Sequence, residues 1–114
     1  DEACVQFAKT FPKIIREIRA VNPDVKIYAD NIYNPAKGID AFSQVYSVAD
    51  VYINRMNRGF YPSDEYVLVD IKKCFDGEKE SMVNLSFKGR EIDPHPSEKG
   101  HKKIAQMVIK AMER

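Results

Sequence analysis

Apolar side chains recur over the first twenty residues with the period of an α-helix. Phe7, Phe11, Ile14, Ile18 and Val21 follow one another at steps of four, three, four and three. That spacing makes a single stripe and predicts a helix over 3–21. Pro12 interrupts it: either the helix kinks there, or its regular part begins near Thr10, which would cap it. Asn22-Pro23-Asp24 then turns the chain. From Val25 to Asp30 apolar residues alternate with Lys26 and Tyr28, which predicts a short strand, and Asn31-Ile32-Tyr33-Asn34-Pro35 reads as the loop after it. Asp40 is placed to cap a second helix whose stripe is Phe42, Val45, Ala49, Tyr52, Ile53 and Met56, with Gly59 as terminator.

The second half has one long apolar run, Tyr66-Val67-Leu68-Val69-Asp70-Ile71. Such a run is expected of a strand covered on both faces in a parallel sheet. Over 72–91 the pattern thins. A helical turn around Lys73 to Phe75 fits before Gly77. Val83, Leu85 and Phe87 alternate with polar residues, as a short strand or as a loop pinned by its apolar side chains. Ile104, Met107, Val108, Ala111 and Met112 return to helical spacing and predict a last helix over 98–112, with Ser97 as its N-cap. The order helix, strand, helix, strand, irregular piece, helix belongs to a layered α/β domain. No repeat or linker divides residues 1–114, which read as one unit.

Composition narrows the partners. At 114 residues the chain can build one small core, and 44% hydrophobic with 31% charged residues is ordinary for a globular domain. The 18 basic and 17 acidic residues are scattered, with a net charge of +1. No basic stripe marks a nucleic-acid partner, and no apolar run reaches membrane-spanning length. The two cysteines, Cys4 and Cys74, have no disulfide-scaffold context and read as thiols in or near the core.

The chemistry gathers at Asp93-Pro94-His95-Pro96-Ser97-Glu98-Lys99-Gly100-His101. Two prolines bracket His95, so its backbone is extended and stiff just ahead of a helix start. An imidazole on such a stem, with a carboxylate two residues before it, suits a general base. A metal site of Asp93, His95 and His101 is the weaker reading, because histidines six apart across a helix start are not a compact ligand set. His101 reads more simply as a surface residue of the first turn.

This string resembles the last motif block of the SGNH (GDSL-type) hydrolases, in which an Asp shortly before a His-Pro supplies the acid and base of a Ser-His-Asp triad. His95, Pro96, Ser97, Gly100 and the following amphipathic helix carry the likeness. The helix ending at Arg19-Ala20-Val21-Asn22-Pro23, the strand Lys26-Ile27-Tyr28 and the loop Asn31 to Pro35 extend it over the front of the chain. The family's commoner spacing is Asp-x-x-His; here Ile92 stands at that acid position and Asp93 lies one residue closer. The resemblance implies a flavodoxin-like three-layer α/β/α fold with parallel strands, its N-terminal part absent. It further implies an esterase or lipase-like acyl hydrolase acting on a small-molecule or lipid ester without a cofactor, with His95 as base and Asp93 as acid.

The family's Gly-Asp-Ser block and its glycine and asparagine oxyanion motifs do not occur here. Serines 43, 47, 63, 81, 86 and 97 all lie in other settings. A base without nucleophile and oxyanion donors cannot transfer an acyl group, so these residues alone are expected to be inactive. A sheet cut at such a point exposes an unpaired strand edge and is expected to pair with another copy or to stay only partly ordered. The site would lie at the carboxyl ends of the strands, near Asn31, Asn34 and Asp70. The two asparagines read as turn formers and Asp70 as a helix cap or loop hydrogen-bonder. The rival reading is a non-catalytic flavodoxin-like interaction domain in which Asp93-Pro94-His95 is only a rigid loop.

Overall fold

The computed structural model describes residues 2–84 and 93–114. Helix α1 (Glu2–Val21) runs unbroken through Pro12, and the Thr10 hydroxyl accepts from Gln6 instead of starting the helix. The face that turns inward keeps only the first half of the predicted stripe, Phe7 and Phe11. Ile15 is fully buried, and Phe7 and Phe11 meet the rings of Phe60, Tyr61 and Tyr66 at centroid distances of 4.9–5.9 Å. Ile14, Ile18 and Val21 stay exposed. The ring cluster sets the rotation of the helix, because aromatic pairs add geometry to plain burial. At the far end, the Arg19 guanidinium donates to the carbonyls of Pro23, Val25 and Glu65, tying α1 to the chain ahead of both strands.

Strands β1 (Tyr28–Asp30) and β2 (Val67–Val69) pair in parallel, with Tyr28 opposite Val67 and Asp30 opposite Val69. Both are shorter than the apolar runs predict. The Val25 N–H is used in the turn to the Asn22 carbonyl, and Asp70 leaves the strand to cap a helix. Nor is β2 covered on both faces among the described residues. Val69 is 3% exposed, but Val67 and Leu68 are 38% and 41% exposed.

Between the strands, a 3-10 turn at Asp40–Phe42 leads into helix α2 (Ser43–Asn57). Asp40 is therefore not the cap of α2 but the first residue of that turn. Along α2 the inward line carries Tyr46, Ala49, Asp50, Ile53 and Met56, while Val45, Val48, Val51 and Tyr52 face solvent. The predicted stripe mixed the two lines. Tyr46 and Asp50 displace Val45 and Tyr52 from the inner face because polar partners wait there for them. Near the end of α2, Gly59 closes a turn on Met56 and packs where a side chain would strike the Phe7 ring.

Helix α3 (Ile71–Asp76) is a full element where one helical turn was expected, and α4 (Glu98–Met112) follows the predicted span. The core lies between them and β2. It consists of Val69, Ile71, Phe75, Met82 and Ala111, edged by Tyr28, Tyr33, Cys74, Ile104, Met107 and Val108. Cys4 and Cys74 are free thiols, each half-buried. The architecture is mixed α/β around a small parallel sheet.

Residues 82–84 run antiparallel to 95–97. The Ser97 N–H donates to the Met82 carbonyl at 2.8 Å, the Asn84 N–H donates to the His95 carbonyl at 2.9 Å, and Val83 faces Pro96. The alternation predicted for Val83, Leu85 and Phe87 is thus met at Val83 by a single bridge; Leu85 and Phe87 lie outside the described residues. Gly100 sits in the first turn of α4, directly against the Met82 carbonyl, and a Cβ there would be driven into that oxygen. Gly100→Ala is expected to cost about 1–3 kcal/mol through this overpacking, seen as a lower midpoint in urea unfolding. A midpoint equal to wild type would show that the contact has room to spare.

Candidate functional site

Why His95 sits where it does follows from its neighbours. Ser97 caps α4 by accepting from the Gly100 N–H at 3.1 Å, which fixes where the helix starts. Pro96 and Pro94 keep the backbone before that cap extended, and the pairing with 82–84 holds it in place. The imidazole is left on the outside, 80% exposed.

Asp93 reaches it despite the short spacing. One carboxylate oxygen, Oδ1, accepts the His95 backbone N–H at 3.0 Å and lies 2.6 Å from ring Nδ1. A carboxylate at Nδ1 favours the tautomer with Nδ1–H, which leaves the Nε2 lone pair free to take a proton. The backbone N–H of His95, and then its ring, hold the Asp93 carboxyl below its ordinary value. The carboxylate is thereby kept charged and aimed.

Two residues that the sequence did not single out build the rest of this loop. The Tyr33 hydroxyl donates to the Pro94 carbonyl at 2.7 Å, and the Asn84 side-chain amide donates to the Pro96 carbonyl at 3.1 Å. Tyr33 comes three residues after β1, so its contact brings the His95 loop to the carboxyl end of that strand. Burial, and then the Asp93 charge, push its phenol above the ordinary value. Sixty-one positions separate Tyr33 from Pro94, and no local pattern links them.

A second polar cluster occupies the same end of the sheet. The Asn31 side chain donates to Asp70 at 2.7 Å and accepts the Lys72 N–H at 2.9 Å, so it bridges the two strand ends instead of merely forming a turn. Asp70 also caps α3 by accepting the Lys73 N–H at 3.1 Å. Asn34 is 1% exposed. It closes its turn by accepting the Ala36 N–H and reaches across to the Tyr46 carbonyl and Asp50. Lys72 lies between Asp50 at 2.9 Å and Asp76 at 2.6 Å, and the Tyr46 hydroxyl donates to Asp76. Of this group the cap at Asp70 and the turn at Asn34 were visible in the sequence, because each acts within a few residues; the ion pairs of Lys72 were not.

Neither cluster is a metal cage. Among the described residues no three His, Cys, Asp or Glu side chains converge on one point; His101 is exposed in the first turn of α4. What the first cluster can do is move a proton between Nε2 and a group presented from outside. Compared with models of known protein families, with curated proteins and with solved structures, the chain finds no match.

The second cluster has a stability signature. Burial raises the Asp50 pKa, but hydrogen bonds from Lys72, Asn34 and Asn54 outweigh it and the net shift is downward. That contribution is present above the unfolded carboxylate value of about 3.9 and is lost as pH falls through the lower folded value. For Lys72, burial lowers the pKa and the two carboxylates more than restore it, so the net shift is upward. Its contribution is full below about 10.4 and is lost as pH rises through the folded value. Lys72→Met, which leaves two carboxylates without their cation, is expected to cost about 2–3 kcal/mol at neutral pH. Unfolding measured from pH 3 to 11 should show that deficit shrink at both ends; a deficit constant with pH would remove the ion pairs as its source.

Proposed function

We propose that this chain is the C-terminal part of an SGNH-type serine acyl hydrolase domain. In this reading His95 is the general base and acid, and Asp93 orients it. The observation that carries the proposal is the Asp93–His95 contact of 2.6 Å on an exposed imidazole beside the carboxyl end of a parallel strand. In open parallel sheets that end is where ligands bind.

The chemistry follows from the tautomer. Nε2 takes the proton of a serine hydroxyl as its oxygen attacks the ester carbonyl, and returns it to the departing alcohol oxygen. Asp93 accepts the Nδ1–H throughout and offsets the charge of the imidazolium that forms. Serine and oxyanion donors come from a segment outside these 114 residues, which makes the chain inactive by itself. The three-layer α/β/α fold with further parallel strands belongs to the same proposal. The strand edges left unpaired among the described residues and the apolar side chains exposed on α1, α2 and β2 support it, since a larger sheet with its helices would cover them. The substrate class is a small-molecule or lipid ester. No described helix is long and apolar enough to cross a membrane.

A second reading, an interaction domain without catalysis, draws on the same exposed faces, because uncovered apolar surface marks protein contacts as readily as a missing half-domain. Activity separates the two. The full-length protein, assayed on short-chain aryl esters, should lose at least about a thousandfold in kcat on His95→Ala. Unchanged turnover would strip His95 of the role, and no turnover in the wild type would favour the interaction domain.

The open edge has its own consequence. The 114-residue chain is expected to self-associate through its strands, so light scattering should give a mass that rises above 13.1 kDa with concentration. A monomer at every concentration would refute it.

A further inference from the structure

We infer that Tyr33 is a positioning residue for the Asp93–His95 pair, its hydroxyl setting the peptide plane on which the pair is built. The functional weight of the inference rests on the proposed role of His95, but its structural content does not. The Pro94 carbonyl, which accepts from Tyr33 at 2.7 Å, belongs to the same peptide unit as the His95 N–H. A trans peptide is planar, with its C=O and N–H pointing in opposite directions. Holding the oxygen therefore aims the N–H, and that N–H donates to Asp93 Oδ1 at 3.0 Å. The same Oδ1 lies 2.6 Å from ring Nδ1. One hydroxyl thus fixes the plane, the plane fixes the carboxylate, and the carboxylate fixes the ring.

The strut has a firm base. The Tyr33 ring packs on Phe75 with centroids 5.0 Å apart, and Phe75 is 2% exposed at the centre of the core. From the other side, Asn84 holds the carbonyls of His95 and Pro96, one with its backbone N–H and one with its side-chain amide. The loop is gripped on both flanks of the imidazole, yet the imidazole itself stays exposed, with only its Nδ1 held by Asp93. This is how an exposed ring can keep one orientation: the restraint acts on its backbone and on its acid partner.

The readout is the tautomer of His95 in the 114-residue chain, measured by the nitrogen shifts of its ring, with His101 as internal reference. In the wild type at neutral pH and above, the unprotonated fraction of His95 should be mainly the Nδ1–H form. A wild type mainly in the Nε2–H form, which free histidine prefers, overturns the inference without any variant. Tyr33→Phe keeps the ring on Phe75 and removes the hydroxyl. It should move His95 toward the Nε2–H form and leave His101 unchanged. A folded Tyr33→Phe chain with the wild-type tautomer ratio also overturns it. In the full-length protein the same variant should lower kcat on aryl esters by about ten- to a hundredfold with KM little changed. A tautomer shift in a protein without ester turnover would leave Tyr33 its positioning role and remove the hydrolase reading, so the two fail separately.

Discussion

Everything at the candidate site hangs from the pairing of residues 82–84 with 95–97. Two hydrogen bonds, Ser97 N–H to the Met82 carbonyl and Asn84 N–H to the His95 carbonyl, join the start of α4 to a segment anchored in the core through Met82. Gly100 lets the helix come down onto that segment, because any side chain there would meet the Met82 carbonyl. Once the helix start is fixed, the stiff Pro-His-Pro stem before it has little freedom left. The imidazole inherits its place from a helix cap and a short bridge, not from burial of its own.

The two polar clusters show opposite uses of the same groups. Around Lys72, carboxylates, amides and a phenol are folded inward and satisfy one another, with Asn34 fully buried among them. Such a network specifies how α2 and α3 meet at the strand ends, and its charges are spent on each other. Around His95 the carboxylate is equally engaged, but one ring nitrogen is left facing solvent. A group held firmly on one side and open on the other is what proton transfer to an outside partner requires. The contrast is why the smaller and more exposed cluster is the better candidate for chemistry.

The apolar faces left outside carry a related message. On α1, Ile14, Ile18 and Val21 form a line beside the buried one; on α2, Val45, Val48, Val51 and Tyr52 do the same. Each helix has two apolar lines, and the described residues cover only one. Periodicity sees both lines alike, so it proposed a stripe on α1 that starts on the inner line at Phe7 and Phe11 and ends on the outer one. Which line turns inward was decided by aromatic rings about fifty residues away in sequence, Phe60, Tyr61 and Tyr66, and by the polar partners awaiting Tyr46 and Asp50.

The sequence by itself determined the local features: the last helix and its Ser97 cap, the extended stem at His95, the cap at Asp70 and the turn at Asn34. Each depends on forces acting within a few residues, such as a fixed proline φ, a side chain reaching its own helix or an amide closing its own turn. Strand lengths, the inner faces of α1 and α2 and the partners of His95 were decided only by the tertiary structure. Tyr33 and Asn84 meet the His95 loop across 61 and 12 positions, and Asn31 meets Asp70 across 39. Contacts at that range leave no periodic trace, because they depend on where whole elements come to rest and not on the order of residues along any one of them.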